Sequence, residues 1–283
     1  SLKPKMEIIL NIDSDHLDYF KDIDHIVSSF DRFAHLVPEA GTIIAYDANP
    51  FVNRVIQGLD NVVTFGLNEN CDYCAKNILF DENGMPSFDV FHKGEKLNRV
   101  QLRIPGEHNI LNALAAYACG HTLGVDSEII KETLESYHGT QRRFDIVGTT
   151  SKGVKIVDDY AHHPTEIKAT LDASQNVPHN KLWCLFQPHT YTRTMALFDD
   201  FAEAFNKADK LILAEIYAAR EKNIYKISSA QLAERIQQTH PNKEVLFMES
   251  FDAIADYVDR NAQPGDMVIT MGAGDIYKVG EML

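Results

Sequence analysis

The second half of the chain alternates between apolar stretches of strand length and segments with helical spacing, which restricts the possible folds more than any other feature. Strands are expected at Lys155–Val157, Leu182–Phe186, Leu211–Ala214, Val245–Met248 and Met267–Thr270, with helices starting near Pro164, Met195, Ser229 and Phe251. Such alternation predicts a mainly parallel sheet with helices on both faces. The alternation follows a break at His138-Gly139-Thr140, so we place a domain boundary near Gly139.

The first half has a different pattern, in which strands are separated by turns typical of antiparallel hairpins. Strands are expected at 7–12, 42–46, 62–65, 74–79, 87–92 and 101–104, and helices at 23–33, 109–123 and 127–137. Asn49-Pro50 is expected to be a turn, and Asn83-Gly84 and Lys93-Gly94 indicate hairpins. The whole chain is therefore predicted to be an α/β protein of two domains.

Charge and composition exclude several classes of protein. The 283 residues carry a formal net charge of −14, which disfavours binding to nucleic acids and anionic membranes. No apolar run is long enough to cross a bilayer and no leader peptide is evident, so we expect a cytoplasmic protein without membrane insertion. Cys71 and Cys74 form one Cys-x-x-Cys pair without a second pair, and reduced thiols are expected.

Polar clusters follow the strands of the second half at the edge where ligands bind in open parallel sheets. The clusters are Asp158–Glu166, Gln187–Thr194, Glu215–Glu221 and Gly272–Asp275. Any strand-to-helix loop is polar, and Pro164-Thr165 could simply start a helix, but four such clusters on one edge indicate a functional site. Adjacent histidines point in different directions, so His162-His163 favours an anionic or zwitterionic substrate over a metal ion. Arg193 could bind a carboxylate or phosphate.

Two further clusters lie in the first half. Asn109 and Asn112 share a helix face and could contact an adenine edge, although Asn109 could equally cap the helix. Asp13, Asp15 and His16 suit Mg²⁺ or Mn²⁺, with an ordinary capped turn as the alternative. The phosphate-binding pattern Gly-x-x-x-x-Gly-Lys-Ser/Thr is not present in this sequence.

Six segments, taken in order, resemble the Mur ligases of peptidoglycan synthesis. They are NIDSDHLDYF, GEHNILNALAA, HGTQRRFD, DDYAHHPTE, QPHTYTRT and MGAGD. Each is weak alone, but together they are specific, and the resemblance covers essentially the whole chain.

This resemblance implies the fold and its domains. Residues 1–139 would be the later part of the central ATP-binding domain, a P-loop-type ATPase fold with antiparallel hairpins. Residues 140–283 would be the C-terminal Rossmann-like domain, which receives the amino acid. The UDP-binding domain and the P-loop would lie upstream of Ser1, so the 283-residue chain is predicted to be inactive by itself.

The resemblance also implies the reaction. DDYAHHPTE followed by QPHTYTRT is similar to the member of the family that joins L-alanine to UDP-N-acetylmuramate through an ATP-derived acyl phosphate, with Mg²⁺ or Mn²⁺. The sibling that recycles murein tripeptide has similar motifs, but Arg142-Arg143-Phe144-Asp145 favours the L-alanine-adding activity.

The resemblance implies individual roles through motif position. His16 matches the metal-binding histidine, and Asn109 and Asn112, with His108 beside them, match the adenine contacts. One residue of the Arg142-Arg143 pair should reach the ATP phosphates, and Asp159 should contact the ribose. The amino-acid and muramoyl end of the site is matched by Tyr160, His162, His163, His189 and Arg193. Many relatives carry arginine where this chain has Thr190, so one charge is absent or is supplied by Arg220.

Two other readings remain open at this point. A metal-dependent phosphoesterase of the DHH type would use Asp13, Asp15, His16 and His162-His163 around two metal ions, although these groups fall in different predicted domains. A non-catalytic nucleotide-binding protein is the second alternative. The Mur ligase reading requires that the Asn109 amides and the His- and Arg-lined rim face one crevice.

Overall fold

The computed structural model describes residues 3–16 and 19–283; Ser1 and Leu2, and Leu17 and Asp18 of the NIDSDHLDYF segment, lie outside the described residues. Two compact units divide the chain. Unit 1 comprises residues 1–81 and 85–138, and unit 2 comprises residues 82–84 and 139–283.

Unit 1 contains a mixed sheet in the order β1-β2-β3-β4-β5-β6. Its strands are β1 Met6–Ile9, β2 Thr42–Tyr46, β3 Val62–Gly66, β4 Tyr73–Phe80, β5 Pro86–His92 and β6 Glu95–Gln101, and its helices are α1 Ile23–Ala34, α2 Pro50–Ile56, α3 Glu107–Thr122 and α4 Ser127–Ser136. The pairs from β1 to β4 are parallel, whereas β4-β5 and β5-β6 are antiparallel hairpins. The predicted hairpins are therefore confirmed.

Several boundaries in unit 1 differ from the sequence prediction. The first strand, predicted to reach residue 12, ends at Ile9, because its pairing with β2 stops there. The predicted turn at Asn49-Pro50 starts α2, because the Asn49 side chain accepts hydrogen bonds from the Phe51 and Val52 backbone amides and Pro50 occupies the first turn. The last strand, β6, ends at Gln101 instead of beginning there. The tight turn before Glu95 reverses the chain, so that the polar residues from Glu95 onward pair with β5.

A further difference is the start of α3. This helix begins two residues before Asn109, and its N-cap is Gly106, whose φ of 101° suits glycine. The alternative in which Asn109 caps the helix is therefore wrong.

Apolar side chains cover both faces of the unit 1 sheet. One cluster, which includes Ile9, Ile43 and Val52, lies on the side of α1 and α2. A second cluster, which includes Phe65 and Tyr117, lies on the side of α3. The sheet is consequently a buried layer between helices, as expected for parallel strands.

Unit 2 contains a second sheet in the order β11-β10-β9-β12-β8-β7. Its strands are β7 Asp145–Thr149, β8 Lys155–Asp159, β9 Leu182–Phe186, β10 Lys210–Leu213, β11 Glu244–Phe247 and β12 Met267–Met271, and its helices are α5 Pro164–Ser174, α6 Tyr191–Ala196, α7 Phe198–Ala202, α8 Ser229–Thr239, α9 Phe251–Asn261 and α10 Tyr277–Met282. All its neighbouring pairs are parallel except β7-β8. The predicted α/β fold with a mainly parallel second sheet is confirmed.

The helix predicted to start near Met195 is wrong in detail. Two short helices, α6 and α7, occupy this region, because Leu197 has φ −113° and ψ 25° and interrupts the helical path between them. The N-terminal half of QPHTYTRT is a loop, but Arg193 lies on α6 and not in the loop.

The topology brings four loops to one edge of the unit 2 sheet. Strands β8, β12, β9 and β10 are consecutive neighbours and run parallel, so the loops after them leave the same edge. Apolar clusters cover both faces, one with α5, α7 and α8 and the other with α9 and α10. Across the described parts of both units, none of the helices combines the length and the apolar character needed to cross a membrane.

Candidate active site

His162 lies in the loop between β8 and α5, and its hydrogen bonds define its tautomer. Its Nδ1 is 2.9 Å from the Tyr160 carbonyl oxygen, and its backbone N–H donates to Glu166 Oε2 at 3.0 Å. A carbonyl oxygen only accepts hydrogen bonds, so Nδ1 carries the proton. In the neutral imidazole, Nε2 is then the acceptor nitrogen.

His163 has a capping role. Its Nδ1 accepts a hydrogen bond from the Thr165 backbone amide at 3.3 Å, and its own N–H donates to Glu166 Oε2 at 3.3 Å. These reciprocal contacts form a capping box at the start of α5, and the residue is only 8% exposed. Of the two histidines, His162 is therefore the more accessible to a substrate.

His189 follows β9 and is enclosed by two aromatic or charged neighbours. Tyr217, which follows β10, stacks on its ring at 5.6 Å with an interplanar angle of 11°. Arg193 Nη1 lies 3.2 Å from His189 Nδ1 and 3.3 Å from the His189 carbonyl oxygen. Because a guanidinium only donates, Nδ1 must accept, and the proton of the neutral ring lies on Nε2.

The two imidazoles of this edge lie close together in opposite tautomers. The ring centroids of His162 and His189 are 5.8 Å apart in an edge-to-face arrangement. Burial, together with His162 and Arg193, lowers the pKa of His189, although Glu221 acts in the opposite direction. His189 is therefore neutral at pH 7, and the edge presents one nitrogen acceptor and one N–H donor.

A glycine loop after β12 closes the edge on one side. The Asp275 N–H donates to Gln187 Oε1 at 2.8 Å, and Gln187 Nε2 donates to the Glu215 carbonyl oxygen at 3.2 Å. A Cβ atom at Gly274 would lie 2.4 Å from Gln187 Oε1 and 2.9 Å from the Tyr217 ring. This separation leaves no room for a side chain, so glycine is required for the close packing of the loops after β9, β10 and β12.

Arg142 is committed to contacts within unit 2. Its Nε donates to Asp158 Oδ2 at 2.8 Å and its Nη2 donates to the Gly272 carbonyl oxygen at 2.7 Å. The guanidinium also lies between the rings of Tyr160 and Tyr277, at 4.9 and 4.7 Å. These contacts fix the start of unit 2 to the glycine loop.

Arg143 differs from its neighbour in accessibility. Its side chain is 54% exposed, and Nη1 lies 3.6 Å from Glu166 Oε1. Of the pair, Arg143 is therefore the residue better able to reach a phosphate.

Asp159 points into unit 2. It is 5% exposed, and its carboxylate accepts hydrogen bonds from the Phe144 amide at 2.8 Å and the Ala161 amide at 2.7 Å. Burial raises its pKa, against the lowering effect of these bonds. In this structure the carboxylate orders the chain on both sides of β8, and its contact with a ribose stays a prediction.

Unit 1 holds the predicted adenine contacts at the start of α3. Asn109 Nδ2 donates to the Pro105 carbonyl oxygen at 2.7 Å, and Asn112 Nδ2 donates to Asn109 Oδ1 at 3.3 Å. The two amides therefore form an ordered pair, with Asn112 exposed and His108 half-buried beside them. An amide of this kind can both donate to and accept from a purine edge.

His16, the predicted metal ligand, lies after β1 with a φ of 53°. Its side chain is 68% exposed, and Nε2 is 3.6 Å from Asp15 Oδ2. Among residues 3–16 and 19–283, no group of three His, Cys, Asp or Glu side chains could hold a metal ion. The donor set fits a divalent ion that takes one or two protein ligands and completes its shell with water and phosphate oxygens, as Mg²⁺ does.

Several contributors to the site were not singled out from the sequence. They are Gln187, Tyr217, Glu221 and Tyr277. The first three belong to polar segments that follow strands, so position alone could have indicated them. Tyr277 lies on α10, a helix that the sequence patterns did not predict, and it contacts Arg142 only through the fold.

Two family profiles match the chain in succession. The profile described as "Mur ligase middle domain" matches residues 1–120, and the profile described as "Mur ligase, glutamate ligase domain" matches residues 142–274.

Curated relatives extend over nearly the whole chain. A relative from Caldanaerobacter subterraneus subsp. tengcongensis, named UDP-N-acetylmuramate--L-alanine ligase, is 50% identical over 98% of this chain and 60% of its own length. A relative of the same name from Clostridium tetani is 48% identical over 99% of this chain and 60% of its own length. The chain thus spans about 60% of the length of these relatives.

Solved structures support the same fold. The crystal structure of UDP-N-acetylmuramate-alanine ligase from Thermotoga maritima matches 99% of this chain and 58% of its own length, with 25% identity and a TM-score of 0.77. A murein peptide ligase from Psychrobacter arcticus matches 99% of this chain and 57% of its own, with 23% identity and a TM-score of 0.67.

Proposed function

This chain belongs to the Mur ligase family, and on that premise we propose that the protein joins L-alanine to UDP-N-acetylmuramate, with conversion of ATP to ADP and phosphate, in peptidoglycan synthesis. The proposal is supported by the His162, His189 and Arg193 arrangement at one sheet edge, together with the names of relatives 48–50% identical to the chain. ATP and nucleotide sugars are cytoplasmic metabolites, so we place the reaction in the cytoplasm.

We assign residues 1–139 to the later part of the ATP-binding domain and residues 140–283 to the amino-acid-binding domain. The Asn109 and Asn112 amides are assigned to the adenine, and Arg143 to the phosphates. His16 is assigned to Mg²⁺ or Mn²⁺, which when bound neutralises phosphate charge.

The chemistry assigned to unit 2 is transfer of an acyl group to an amine. ATP first phosphorylates the muramate carboxylate, and the amine of L-alanine then attacks the acyl phosphate, so that an amide bond forms and phosphate leaves. The amine must lose a proton to become the product amide, and His162 Nε2 is the acceptor assigned to that proton.

Arg193 and His189 complete the assignment. The guanidinium binds the carboxylate of L-alanine, and the His189 Nε2–H donates a hydrogen bond to the same group or to the oxygen that gains charge in the tetrahedral intermediate. Binding all three substrates holds the amine near the acyl carbon, which supplies much of the rate acceleration.

The alternatives receive less support. A phosphoesterase with clustered metal ligands is disfavoured because Asp13, Asp15 and His16 belong to unit 1 and His162 and His163 to unit 2. The murein tripeptide ligase remains a sibling activity, but the curated relatives at 48–50% identity carry the L-alanine name.

The test uses the protein expressed from its complete gene, with UDP-N-acetylmuramate, L-alanine, ATP and Mg²⁺. We expect UDP-N-acetylmuramoyl-L-alanine by mass spectrometry and one ADP per product molecule. In one parallel reaction murein tripeptide replaces L-alanine. In another, a generic phosphodiester with Mn²⁺ replaces all the substrates. Faster turnover in either parallel reaction contradicts the proposal, and ATP binding without any product favours the non-catalytic alternative.

A further inference from the structure

Glu221, in the loop between β10 and α8, contacts the segment that starts α6. Its Oε2 accepts a hydrogen bond from the Thr192 amide at 2.8 Å, and the Tyr191 amide and the hydroxyls of Thr190 and Thr192 also donate to the carboxylate. Burial, the largest single influence, raises the pKa of Glu221, but these hydrogen bonds together lower it below its ordinary value. The carboxylate is therefore ionised and held by several donors at once.

The α6 helix depends on an acceptor from outside. It spans Tyr191–Ala196, and Thr190 at its N-cap makes no side-chain capping hydrogen bond. A helix of this length is not stable alone in water, and its first N–H groups have no partner within the helix. Glu221 supplies the missing acceptors and places a negative charge at the positive end of the helix.

The same helix carries the side chain that fixes His189. Arg193 donates from Nη1 to His189 Nδ1 and to the His189 carbonyl oxygen. A shift of the first turn of α6 would move Arg193 away from this nitrogen, and the proton of the neutral His189 ring could then lie on either nitrogen. The contacts thus connect Glu221 to His189 through two intermediate steps.

We propose that Glu221 is a positioning residue for the amino-acid half of the reaction, because it holds the first turn of α6 so that Arg193 keeps His189 as an Nε2–H donor. This inference rests on the proposed function. Loss of one to two charge-assisted hydrogen bonds should lower kcat/KM for L-alanine by roughly 10- to 100-fold. The KM for ATP should remain within about twofold, since the adenine contacts lie in unit 1.

A pH profile separates this role from simple structural support. The charged groups that act on His189 are His162 and Arg193, which lower its pKa after burial, and Glu221, which raises it. In a Glu221 variant Arg193 moves away from His189, and its lowering influence exceeds the raising influence of Glu221, so the pKa of His189 rises. Because His189 must be neutral to accept from Arg193, the acidic limb of kcat/KM for L-alanine should move to higher pH.

The kinetic test compares Glu221→Gln and Glu221→Ala with Glu215→Gln in the complete protein. Glu215 is an exposed carboxylate of the same loop, and its side chain accepts a hydrogen bond from its own neighbour, the Ile216 amide, at 3.0 Å. We expect both Glu221 variants to show the L-alanine defect and the shifted limb, and the Glu215 variant to show neither. Unchanged kinetics, or equal losses for ATP and L-alanine with an unmoved limb, overturn the proposal.

A second measurement does not depend on activity. Nuclear magnetic resonance of the protein with isotope-labelled histidine reports which ring nitrogen of His189 carries the proton. We expect the Nε2–H form in the unsubstituted protein and a mixture of tautomers in Glu221→Gln. If His189 stays in the Nε2–H form in that variant, the positioning role is contradicted, even if the enzyme makes a different product. If the variant shows a mixture of tautomers but the enzyme forms no L-alanine product, the proposed function alone is refuted.

Discussion

Glu7 on β1 is a buried carboxyl group that should make the stability of unit 1 depend on pH. It is 3% exposed, and among the described residues neither of its two buried carboxyl oxygens has a hydrogen-bond partner. Burial raises its pKa from 4.5 to about 7. The native state thus favours the protonated form, which carries no charge to desolvate.

The sign and size of the effect follow from this difference. In the unfolded chain Glu7 ionises near pH 4.5, whereas in the native state it stays protonated until about pH 7. Its contribution to stability is therefore fully present below pH 4.5, declines as the pH rises and is lost above about pH 7. At roughly 1.4 kcal/mol per pKa unit, the total loss is about 3 kcal/mol.

Scanning calorimetry of Glu7→Gln at pH 5 and pH 8 tests this reasoning. Glutamine has the same shape but cannot ionise, so the substitution should stabilise unit 1 at pH 8 relative to pH 5. A gain of about 3 kcal/mol corresponds to roughly 10 °C in the melting temperature of a unit of this size. Glu39→Gln, an exposed substitution in the same unit, is the matched control.

If Glu7→Gln changed the melting temperature equally at pH 5 and pH 8, the reasoning would be refuted, because the carboxyl group would then ionise as easily in the folded state as in the unfolded one. Glu7→Met provides a second check. It removes the unpaired polar group altogether and should be at least as stable as Glu7→Gln at pH 8.

Other substitutions test the site directly. Arg193→Ala should lower kcat/KM for L-alanine by roughly 100-fold while calorimetry finds the same Kd for ATP, and a large loss of ATP binding with intact L-alanine kinetics would show that Arg193 is misplaced. Arg143→Ala should raise the KM for ATP by roughly 10-fold. Arg142→Lys should lower the melting temperature of unit 2 and slow the reaction at all substrate concentrations. The reverse pattern would show that the two arginines have exchanged roles. Asn112→Ala should weaken ATP binding by roughly fivefold, and unchanged binding would remove the amide from the adenine site.

The alternation of strands and helices after Gly139 predicted the second sheet because the buried parallel strands are short apolar runs, most of them separated by segments with helical spacing. Prediction was weaker where contacts between distant residues decide the structure. The short helix α6 depends on Glu221, which lies 29 positions after Thr192 and cannot be paired with it from local pattern alone. The strand β7 escaped notice because its outward residues Ile146 and Val147 are exposed and its pairing depends on β8.

The candidate site shows the same limit. Residue types and their position after strands identified His162, His189 and Arg193 as members of one sheet edge. Their tautomers could not be predicted, because each depends on a partner fixed by the fold: the Tyr160 carbonyl in one case and a guanidinium in the other. The different exposure of Arg142 and Arg143 likewise depends on the fold: the Tyr160 ring contacts both guanidinium groups, at 4.9 and 5.8 Å, whereas Tyr277 packs on Arg142.

The central claim is that the unit 2 sheet edge receives the amino acid after the carboxylate has been activated by ATP. Rapid quenching of Arg193→Ala with radiolabelled ATP, in the protein expressed from its complete gene, separates the two steps. The account predicts that acyl phosphate forms at the rate of the unsubstituted enzyme, whereas amide formation on addition of L-alanine is slowed by roughly 100-fold. Slow acyl phosphate formation followed by amide formation at the normal rate would contradict it.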